Sequence, residues 1–184
     1  MSIEIEKKYR LSEDQRDELV RRLVEIGATP EGEAFEENVL YDGGKLKQRN
    51  CVLRLRHVSG RALLTYKERL PSASAIKHQR EEETQVEDAE VMHTILEALG
   101  YRPRIVYEKK RQTWRLGAVE VVLDELPFGL FMEIEGSAAE IEATEERLAV
   151  VDLLAELSTY PQIAAQEGKL CGRVIEARFT NPDG

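Results

Sequence analysis

IEIEKKY, at residues 3–9, alternates apolar and charged side chains over most of its length. Successive side chains of a β-strand point to opposite faces, so this stretch predicts a strand with one apolar and one charged face. The charged face carries Glu4, Glu6 and Lys8. An ordinary half-buried strand turns such a face to water, and that explanation fits any one strand taken alone. The role of the charged face therefore depends on how the other strands are arranged.

Seven further segments are typical of strands, and short turns connect most of them. They lie at residues 35–41, 52–58, 62–69, 77–87, 104–115, 118–124 and 130–135. Short connections favour antiparallel pairing, and eight antiparallel strands can close into a barrel without exposed edges. We therefore predict an α+β fold in which helices pack outside a closed eight-stranded antiparallel β-barrel.

Three segments have the apolar spacing of helices. The first follows Ser12 and Gln15, which form a capping-box pattern, and stops at Gly27. The second begins after Asp88, and the third covers residues 144–157. The positions expected to be buried are Leu19, Leu23, Ile26, Val91, Ile95, Leu99, Leu148, Val151, Leu154 and Leu157. We predict a single domain over residues 1–184, although the tail from about residue 160 fits neither period.

Composition excludes several classes of function. The 184 residues carry 35 acids and 26 bases, so the net charge of −9 disfavours nonspecific nucleic-acid binding. No apolar run approaches the length of about 18 residues that a membrane helix needs. The first residues have no apolar signal region, and two cysteines, Cys51 and Cys171, form no disulfide framework. We expect a cytoplasmic protein with reduced thiols.

The charged strand faces become informative when all eight strands are considered together. If the helices cover the apolar outer face of a closed barrel, the charged faces point into its lumen. Charge buried at that density is costly unless it is paired or meets a highly charged ligand. The bases on these faces are Lys8, Arg54, Arg56, Lys67, Lys109 and Arg111. The acids are Glu4, Glu6, Glu81, Glu83, Asp124, Glu133 and Glu135.

The two sets indicate a polyanion next to a metal ion. Arginine and lysine suit phosphate oxygens, whereas clustered carboxylates would repel a polyanion without a cation between them. Hard divalent cations such as Mg²⁺ or Mn²⁺ prefer carboxylate ligands. Zinc is disfavoured because thiols and histidines are not suitably spaced. We therefore expect Mg²⁺ or Mn²⁺ as the cofactor.

The register of the segment at residues 80–86 is open at this point. Either Glu81 and Glu83 point into the lumen, or Arg80 and Glu82 do, because a shift of one residue reverses the faces. We favour Glu81 and Glu83, since Thr84 and Val86 then join the outer face.

Five elements in this order resemble the CYTH family, also called the triphosphate tunnel metalloenzymes. The first is Glu4-Ile5-Glu6-Lys7-Lys8, which is similar to the family signature E-x-E-x-K. The others are NVLYDGGKLKQRNCVLRLR (38–56), LTYKER (64–69), GYRPRIVYEKKRQTW (100–114) and VVLDELPFGLFMEIEG (121–136). One such element carries little weight, whereas five ordered elements over residues 3–136 are specific.

The resemblance implies roles for the charged residues. Glu4, Glu6, Glu133 and Glu135 would bind the metal, with Asp124, Glu81 and Glu83 completing the acidic side. Lys8, Arg54, Arg56, Lys67, Lys109 and Arg111 would hold a triphosphate, and Lys8, Arg56 and Lys67 would serve as catalytic residues. The stretch Thr159-Tyr160-Pro161 only partly matches the family pattern, which leaves the closure of one tunnel mouth open.

The resemblance also implies the reaction class and leaves the nucleophile open. Attack by water on the terminal phosphorus would make a triphosphatase for inorganic, thiamine or nucleoside triphosphate, which is our preferred interpretation. Attack by a ribose 3′-OH on the α-phosphorus of ATP would make a class IV adenylyl cyclase, which releases cyclic AMP and pyrophosphate. A noncatalytic module that binds polyphosphate or nucleotides is a third interpretation, and a barrel with solvated charged faces is a fourth. We expect a small-molecule triphosphate, no nucleic-acid or membrane partner, and leave open whether the protein is a homodimer.

Isolated aromatic and histidine side chains have ordinary explanations. Trp114 is more typical of the core outside the barrel than of a platform for a base. Tyr107 could stack on a base or simply pack. His57, His78 and His93 stand apart from one another, and packing explains each better than catalysis.

Overall fold

The computed structural model describes the backbone of residues 2–69 and 77–180 and the side chains of residues 5–68 and 80–180. Within these ranges the chain forms ten β-strands and four α-helices. The strands are β1 (Ser2–Leu11), β2 (Thr29–Asp42), β3 (Cys51–Val58), β4 (Arg61–Arg69), β5 (Lys77–Val86), β6 (Arg102–Leu116), β7 (Val119–Leu126), β8 (Gly129–Glu135), β9 (Lys169–Cys171) and β10 (Val174–Ala177). The helices are α1 (Glu13–Glu25), α2 (Ala89–Ala98), α3 (Ala138–Leu148) and α4 (Tyr160–Glu167).

The described strands form one sheet in the order β2-β3-β4-β5-β1-β8-β7-β6-β10-β9, and β2 also pairs with β6. The β2–β6 pairing is long, because it runs from Thr29 opposite Arg115 to Asp42 opposite Arg102. The pairs among β1 to β8 are antiparallel, and β10 joins β6 in parallel. The predicted α+β fold with an antiparallel sheet is confirmed, and each of the eight predicted strand segments lies within or largely overlaps one of β1 to β8.

The helices α1 and α3 cover the apolar outer face of part of the sheet. One core cluster joins Leu23 of α1 and Ile141 of α3 to Tyr9, Trp114 and Ile134 of the strands. Leu23, Tyr9, Ile134 and Ile141 have no exposed surface, so the outer face is the main apolar core on this side of the protein. This packing confirms that α1 and α3 lie outside the sheet and that Trp114 belongs to the outer core.

The start of α1 is the predicted capping box. The Ser12 hydroxyl accepts a hydrogen bond from the Gln15 backbone N–H (3.2 Å), and Gln15 Oε1 accepts one from the Ser12 N–H (2.8 Å). Each bond satisfies a backbone donor that a helix end otherwise leaves unpaired. Leu19 and Leu23 are buried as expected, so a local signal sufficed to predict where this helix begins and which face packs.

The predicted buried stripe of α2 was wrong. Val91, Ile95 and Leu99 are 54, 45 and 69% exposed, whereas Leu96 is 5% exposed and Met92 packs beside it in the core. The helix carries apolar residues on both sides, so the period alone was compatible with either stripe. Contact with β3 selects the side that carries Leu96.

The predicted helix over residues 144–157 had the wrong bounds: only residues 144–148 of it are helical, and Leu148 alone of its predicted stripe is buried. Helix α3 begins earlier, after Ser137, which forms a capping box with Glu140, and it ends at Ala149 in a left-handed conformation (φ 53°). The Val150 N–H bonds back to the Glu145 carbonyl (2.9 Å), which turns the chain out of the helix. Beyond this turn, Val151, Leu154 and Leu157 are 61, 91 and 58% exposed.

Three elements of the tail and one strand extension had no clear sequence pattern. Helix α4 and the strands β9 and β10 lie in the region that fitted neither period. Strand β2 begins at Thr29, six residues before the predicted segment, and its pairing with β6 shifts register between Pro30 and Gly32. Proline and glycine are atypical of strand interiors, so this part of the strand had no strand pattern. Residues of α4 and β10 pack against Leu40, Tyr107 and Phe131, so the tail is part of the same structure.

A partly buried ion pair attaches α3 to β1 and yields a prediction for stability. Glu145, 3% exposed, accepts hydrogen bonds from Lys7 Nζ (2.6 Å) and from the buried Tyr9 hydroxyl. Glu145→Ala leaves both donors without this acceptor, so we expect the free energy of unfolding to fall by about 3 kcal/mol. Chemical denaturation measures the change. Glu146→Ala, at an exposed position of the same helix, is the control, and an equal loss in both variants would contradict the role of the pair.

Candidate active site

The charged faces of the strands line a cavity of about 640 Å³. Eleven of the thirteen charged residues singled out from the sequence line it: Glu6, Lys8, Arg54, Arg56, Lys67, Glu81, Glu83, Lys109, Arg111, Glu133 and Glu135. The side chain of Glu4 lies outside the described residues. Asp124 lies behind the cavity wall with 1% of its surface exposed. The structure therefore brings most of this set together, while the roles of its members stay predictions.

Strand register explains why these side chains meet. Lys8 lies opposite Glu133 and Glu6 opposite Glu135 in the β1–β8 pair. In an antiparallel pair, side chains of directly opposed residues lie on the same face about 5 Å apart. Arg111 opposite Asp124 follows the same rule in the β6–β7 pair, so alternation in single strands becomes rows of charge across the sheet.

The register of β5 answers the question that the sequence left open. Glu81 lies opposite Lys67 and Glu83 opposite Thr65, so both carboxylates share the face of β4 that lines the cavity. Lys67 Nζ is 2.8 Å from a Glu81 oxygen. Arg80 lies opposite Glu68 and Glu82 opposite Tyr66 on the other face, although Glu82 also borders the cavity.

On the side of the cavity formed by β3, β4 and β5, two arginines surround the carboxylate of Glu83. Arg56 Nη2 donates to Glu83 Oε2 at 2.8 Å, and the Thr65 hydroxyl donates to the same oxygen at 2.7 Å. Arg54 Nη2 lies 3.9 Å from it. Burial alone would raise the pKa of Glu83, but the Thr65 bond and the charges of Arg56 and Arg54 lower it below its usual value. Glu83 therefore stays ionised and holds the guanidinium groups in place.

Glu36 is a buried carboxylate that the sequence reasoning did not single out. It is 3% exposed and lies 3.2 Å from Lys109 Nζ and 3.6 Å from Arg56 Nη1. Burial alone would raise its pKa, but the charges of Lys109, Arg111, Arg56 and Arg54 outweigh burial and hold the pKa at about 2. The alternation of Glu36 and Asn38 within the predicted strand was a signal that could have identified this residue.

Asp124 pairs with both Lys109 and Arg111. Arg111 donates to Asp124 through Nε (2.7 Å) and Nη2 (2.6 Å), and Lys109 Nζ lies 3.7 Å from Asp124 Oδ2. Arg111 Nη2 also donates to Glu133 at 2.8 Å. Burial and the neighbouring charge of Arg111 lower the pKa of Lys109. Asp124 is thus engaged by the bases in the wall and does not itself line the cavity.

Carboxylates from three adjacent strands form a row at the side of the cavity. Glu135 lies opposite Glu6 on β1 and opposite Glu120 on β7, and all three line the cavity. Glu120 had not been singled out from the sequence. Carboxylate oxygens are the ligands that Mg²⁺ and Mn²⁺ prefer, so the chemistry of this row fits such a cation. Within the part of the chain that the structure describes, no group of three acidic, histidine or cysteine side chains is already arranged around a metal position.

Two tyrosines and the start of α4 complete the lining. Tyr107 is 2% exposed and its ring lies 6.5 Å from that of Tyr160, so it packs within the cavity wall. Thr159, Tyr160 and Pro161 also line the cavity, which places the start of α4 against it. No local pattern in the tail indicated this, because the position of Tyr160 depends on how α4 packs on distant strands.

The order of strands and the charged cavity agree with a family comparison. The family model described as the CYTH domain matches residues 2–160 of the 184-residue chain. The chain belongs to the CYTH family. CYTH proteins include triphosphatases and adenylyl cyclases, and CYTH enzymes generally depend on divalent metal ions.

Individual relatives of this CYTH protein come from several organisms. The Methanocaldococcus jannaschii protein named "Putative adenylate cyclase MJ0240" is 29% identical over 150 residues, which cover 79% of this chain and 83% of the relative. The solved structure of PH1012 from Pyrococcus horikoshii is 26% identical, with a TM-score of 0.74, and the match covers 85% of this chain and 96% of that one. The Hippeastrum protein HpAC1, described as having a dominant triphosphatase activity, is 19% identical with a TM-score of 0.66, and the match covers 92% of this chain and 98% of that one. The likeness to HpAC1 shows the fold alone.

In the described part of this CYTH protein, none of the helices has both the length and the apolar character that a transmembrane helix requires.

The depressed pKa of Glu36 leads to a prediction for stability against pH. A carboxyl whose pKa falls from 4.5 to about 2 on folding contributes stability above its unfolded pKa, and that contribution is lost as the pH falls toward 2. We expect the difference in unfolding free energy between wild type and Glu36→Gln to shrink by about 2 kcal/mol from about pH 5 to about pH 3. Urea denaturation over this range measures it. Exposed Glu25→Gln is the control, and a pH-independent difference for Glu36→Gln would disprove the electrostatic role.

Proposed function

We propose that this CYTH protein is a divalent-metal-dependent phosphohydrolase that acts on a triphosphate. The observation that carries the proposal is the convergence of six bases and seven carboxylates on one cavity of about 640 Å³. A binding module for a polyanion needs only the bases. Carboxylates in the same cavity would repel the polyanion unless a cation lies between them. The mixed lining favours an enzyme that uses a metal ion, in agreement with the family to which the chain belongs.

We infer that the cavity is a tunnel through a closed eight-stranded barrel. The pairing of β2 with β6 supports this, because it joins two strands that stand far apart in the order of the sheet. The outer core beneath α1 and α3 also supports it, since it keeps the apolar strand faces away from the cavity. We further propose that residues 1–184 form a single domain, because α4 and β10 share a core cluster with the strands.

The bases suit the proposed substrate, a small-molecule triphosphate that is inorganic or carries thiamine or a nucleoside. Arg54, Arg56 and Lys67 come from β3 and β4, whereas Lys109 and Arg111 come from β6. Positive groups from separate strands can contact successive phosphates of one chain, and guanidinium forks can bind two oxygens at once. We propose these residues, together with Lys8, as the triphosphate-binding set.

The carboxylates suit a metal ion beside that substrate. We propose that Glu6, Glu133 and Glu135 hold Mg²⁺ or Mn²⁺ together with Glu4, and that Glu81 and Glu83 extend the acidic side. When bound, such an ion would neutralise phosphate charge and lower the pKa of an attacking water. Both oxygens of Asp124 already accept hydrogen bonds from Arg111. We therefore propose that Asp124 supports this site from behind the wall by holding Arg111.

The chain's own residues supply positioning and electrostatic stabilisation. Phosphoryl transfer needs little covalent chemistry from a protein, so preorganised charge is the main contribution. We propose Lys8, Arg56 and Lys67 as the catalytic residues, which would bind the oxygens on which charge develops. Their orientation is fixed before substrate binds, since Lys8 lies 3.3 Å from Glu133 and Arg56 bonds to Glu83 at 2.8 Å.

Adenylyl cyclase activity is the second candidate, because the M. jannaschii relative carries that name. The same cavity could hold ATP with its ribose hydroxyl directed at the α-phosphorus. Both candidates imply a small-molecule substrate, and we propose that the protein acts in the cytoplasm without a nucleic-acid partner.

Product analysis by ³¹P NMR distinguishes the candidates. Purified protein is incubated separately with ATP and with inorganic tripolyphosphate, each with Mg²⁺ or Mn²⁺. Orthophosphate as the product supports the hydrolase, and the comparison of substrates shows whether a nucleoside is required. Pyrophosphate together with cyclic AMP would favour the cyclase instead. Binding without turnover of either substrate would contradict both enzymes and favour a binding module.

Glu6→Gln tests the proposed metal site. The change removes the carboxylate charge and keeps the shape, so we expect metal-dependent turnover to fall by at least about 100-fold while the fold persists. Glu4→Gln should have the same effect. Circular dichroism and turnover against metal concentration measure the two properties. Glu142→Gln, at an exposed position of α3, should behave as wild type. Full activity in Glu6→Gln would contradict the assignment of Glu6 as a metal ligand.

Arg56→Ala tests the proposed substrate contact. Losing a charged hydrogen-bonding group should raise KM for triphosphate by about 10- to 100-fold, with little change in thermal unfolding of the ligand-free protein. Steady-state kinetics and calorimetry give both values. Arg21→Ala, at a position with 67% of its side chain exposed, serves as the matched control. Unfolding of Arg56→Ala in the absence of ligand would instead assign Arg56 a structural role.

A further inference from the structure

Tyr160 lies outside the strands that supply the charged residues and yet reaches the centre of their network. It is the first residue of α4, 6% of its surface is exposed, and it lines the cavity. Its ring and its hydroxyl contact two different charged groups of the wall. These contacts come from the tail of the chain, where the sequence reasoning found no functional residue.

The ring of Tyr160 contacts the ammonium group of Lys8. Lys8 Nζ lies 3.8 Å from the ring centroid, which is a close cation–π distance. The same Nζ donates to the Ser158 carbonyl at 3.2 Å and lies 3.3 Å from Glu133 Oε1. Two of these three contacts therefore come from the segment Ser158–Tyr160. Since Lys8 is 2% exposed, water contributes little to where its charge is held.

The hydroxyl of Tyr160 contacts the group that holds Arg111. Tyr160 Oη donates to Asp124 Oδ2 at 2.8 Å, and Arg111 Nη2 donates to the same oxygen at 2.6 Å. Lys109 Nζ is 5.6 Å from the Tyr160 ring centroid. One side chain thus connects Lys8 of β1 to the bases of β6 by way of Asp124.

Packing fixes the ring independently of any ligand. Phe131 meets Tyr160 edge-on with ring centroids 5.3 Å apart. Ile163 and Ala164 anchor α4 in the same core cluster, with 3 and 0% of their surfaces exposed. A side chain locked by its neighbours can hold a functional group within the narrow tolerance that binding and catalysis require.

We propose that Tyr160 is a positioning residue: its ring holds the Lys8 ammonium group at the position that binds one triphosphate, while its hydroxyl adds one bond to Asp124, which two bonds from Arg111 already hold. This inference rests on the proposed function, because it takes the cavity as a triphosphate site. It extends that function to the tail of the chain: α4 organises the site from outside the strands. If Tyr160 served only in packing, it would also be buried. Its replacement would then lower ligand affinity only as far as it lowers the stability of the protein.

Three variants separate positioning from packing. Tyr160→Phe keeps the ring over Lys8 and removes only the bond to Asp124, which retains both bonds from Arg111. Tyr160→Leu removes the ring and the hydroxyl. Ile163→Ala loosens the same helix within the same core cluster, and Ile163 is not among the described residues that line the cavity.

Two measurements on ligand-free and ligand-titrated protein form the first part of the test. In NMR spectra, the ring current of Tyr160 should shift the Lys8 ε-methylene protons upfield in wild type and Tyr160→Phe, but not in Tyr160→Leu. Isothermal titration with inorganic tripolyphosphate should show that Tyr160→Leu binds at least about 10-fold more weakly than wild type. Tyr160→Phe and Ile163→Ala should remain within about threefold of the wild-type Kd, although Ile163→Ala lowers Tm.

Turnover forms the second part of the test. We expect kcat of Tyr160→Leu for tripolyphosphate to fall by at least about 10-fold, with recovery in Tyr160→Phe. Wild-type affinity in Tyr160→Leu would overturn the inference, as would an equal loss of affinity in Ile163→Ala at a similar drop in Tm. Wild type that binds without turnover contradicts the proposed hydrolase alone, because the affinities of the variants still test Tyr160. If wild type binds ATP but not tripolyphosphate, the same comparison of variants is made with ATP, and wild type that binds neither overturns both proposals.

Discussion

Charges buried in the cavity wall must be neutralised at short range, and the rest of the structure depends on this constraint. The side chains of Lys109 and Glu36 are each 3% exposed and that of Asp124 is not exposed. An ion taken out of water loses several kcal/mol of solvation unless it is closely paired. Each of these groups has an opposite charge within 3.7 Å. Such balance requires that strands distant in sequence keep their register, because a shift of one residue would turn each partner to the opposite face of its strand.

The sheet and its outer helices make this arrangement possible. A charged face can be turned inward only if the apolar face has another place to pack, and α1 and α3 provide it on β1, β6, β7 and β8. The protein therefore has its main apolar core outside the sheet and its charge within. This reverses the usual pattern of a small antiparallel sheet, in which the polar face meets water. A ligand with charges of its own is the simplest physical reason for retaining so many ions in one cavity.

The two incorrectly predicted helices show what a periodic pattern can and cannot decide. In α2 the apolar residues cover more than one stripe, so only contact with β3 selected the buried side. At the end of α3, the left-handed Ala149 stops the helix in front of residues whose spacing still looked helical. Local spacing reports which positions could share a face. It does not report which face meets a neighbour, or where a backbone turn ends the element.

The sequence by itself determined which side chains share a face of each strand, because alternation is a property of a single strand. That was enough to identify all but Glu36, Glu82, Glu120 and the residues of the tail among the charged and tyrosine side chains around the cavity. It also determined the start of α1, because a capping box involves residues only three positions apart. Only the tertiary structure decided that Glu36 balances the bases, that Asp124 lies behind the wall and that Tyr160 reaches Lys8. These relations join residues up to about 150 positions apart, and long-range register and packing, which no local pattern contains, bring them together.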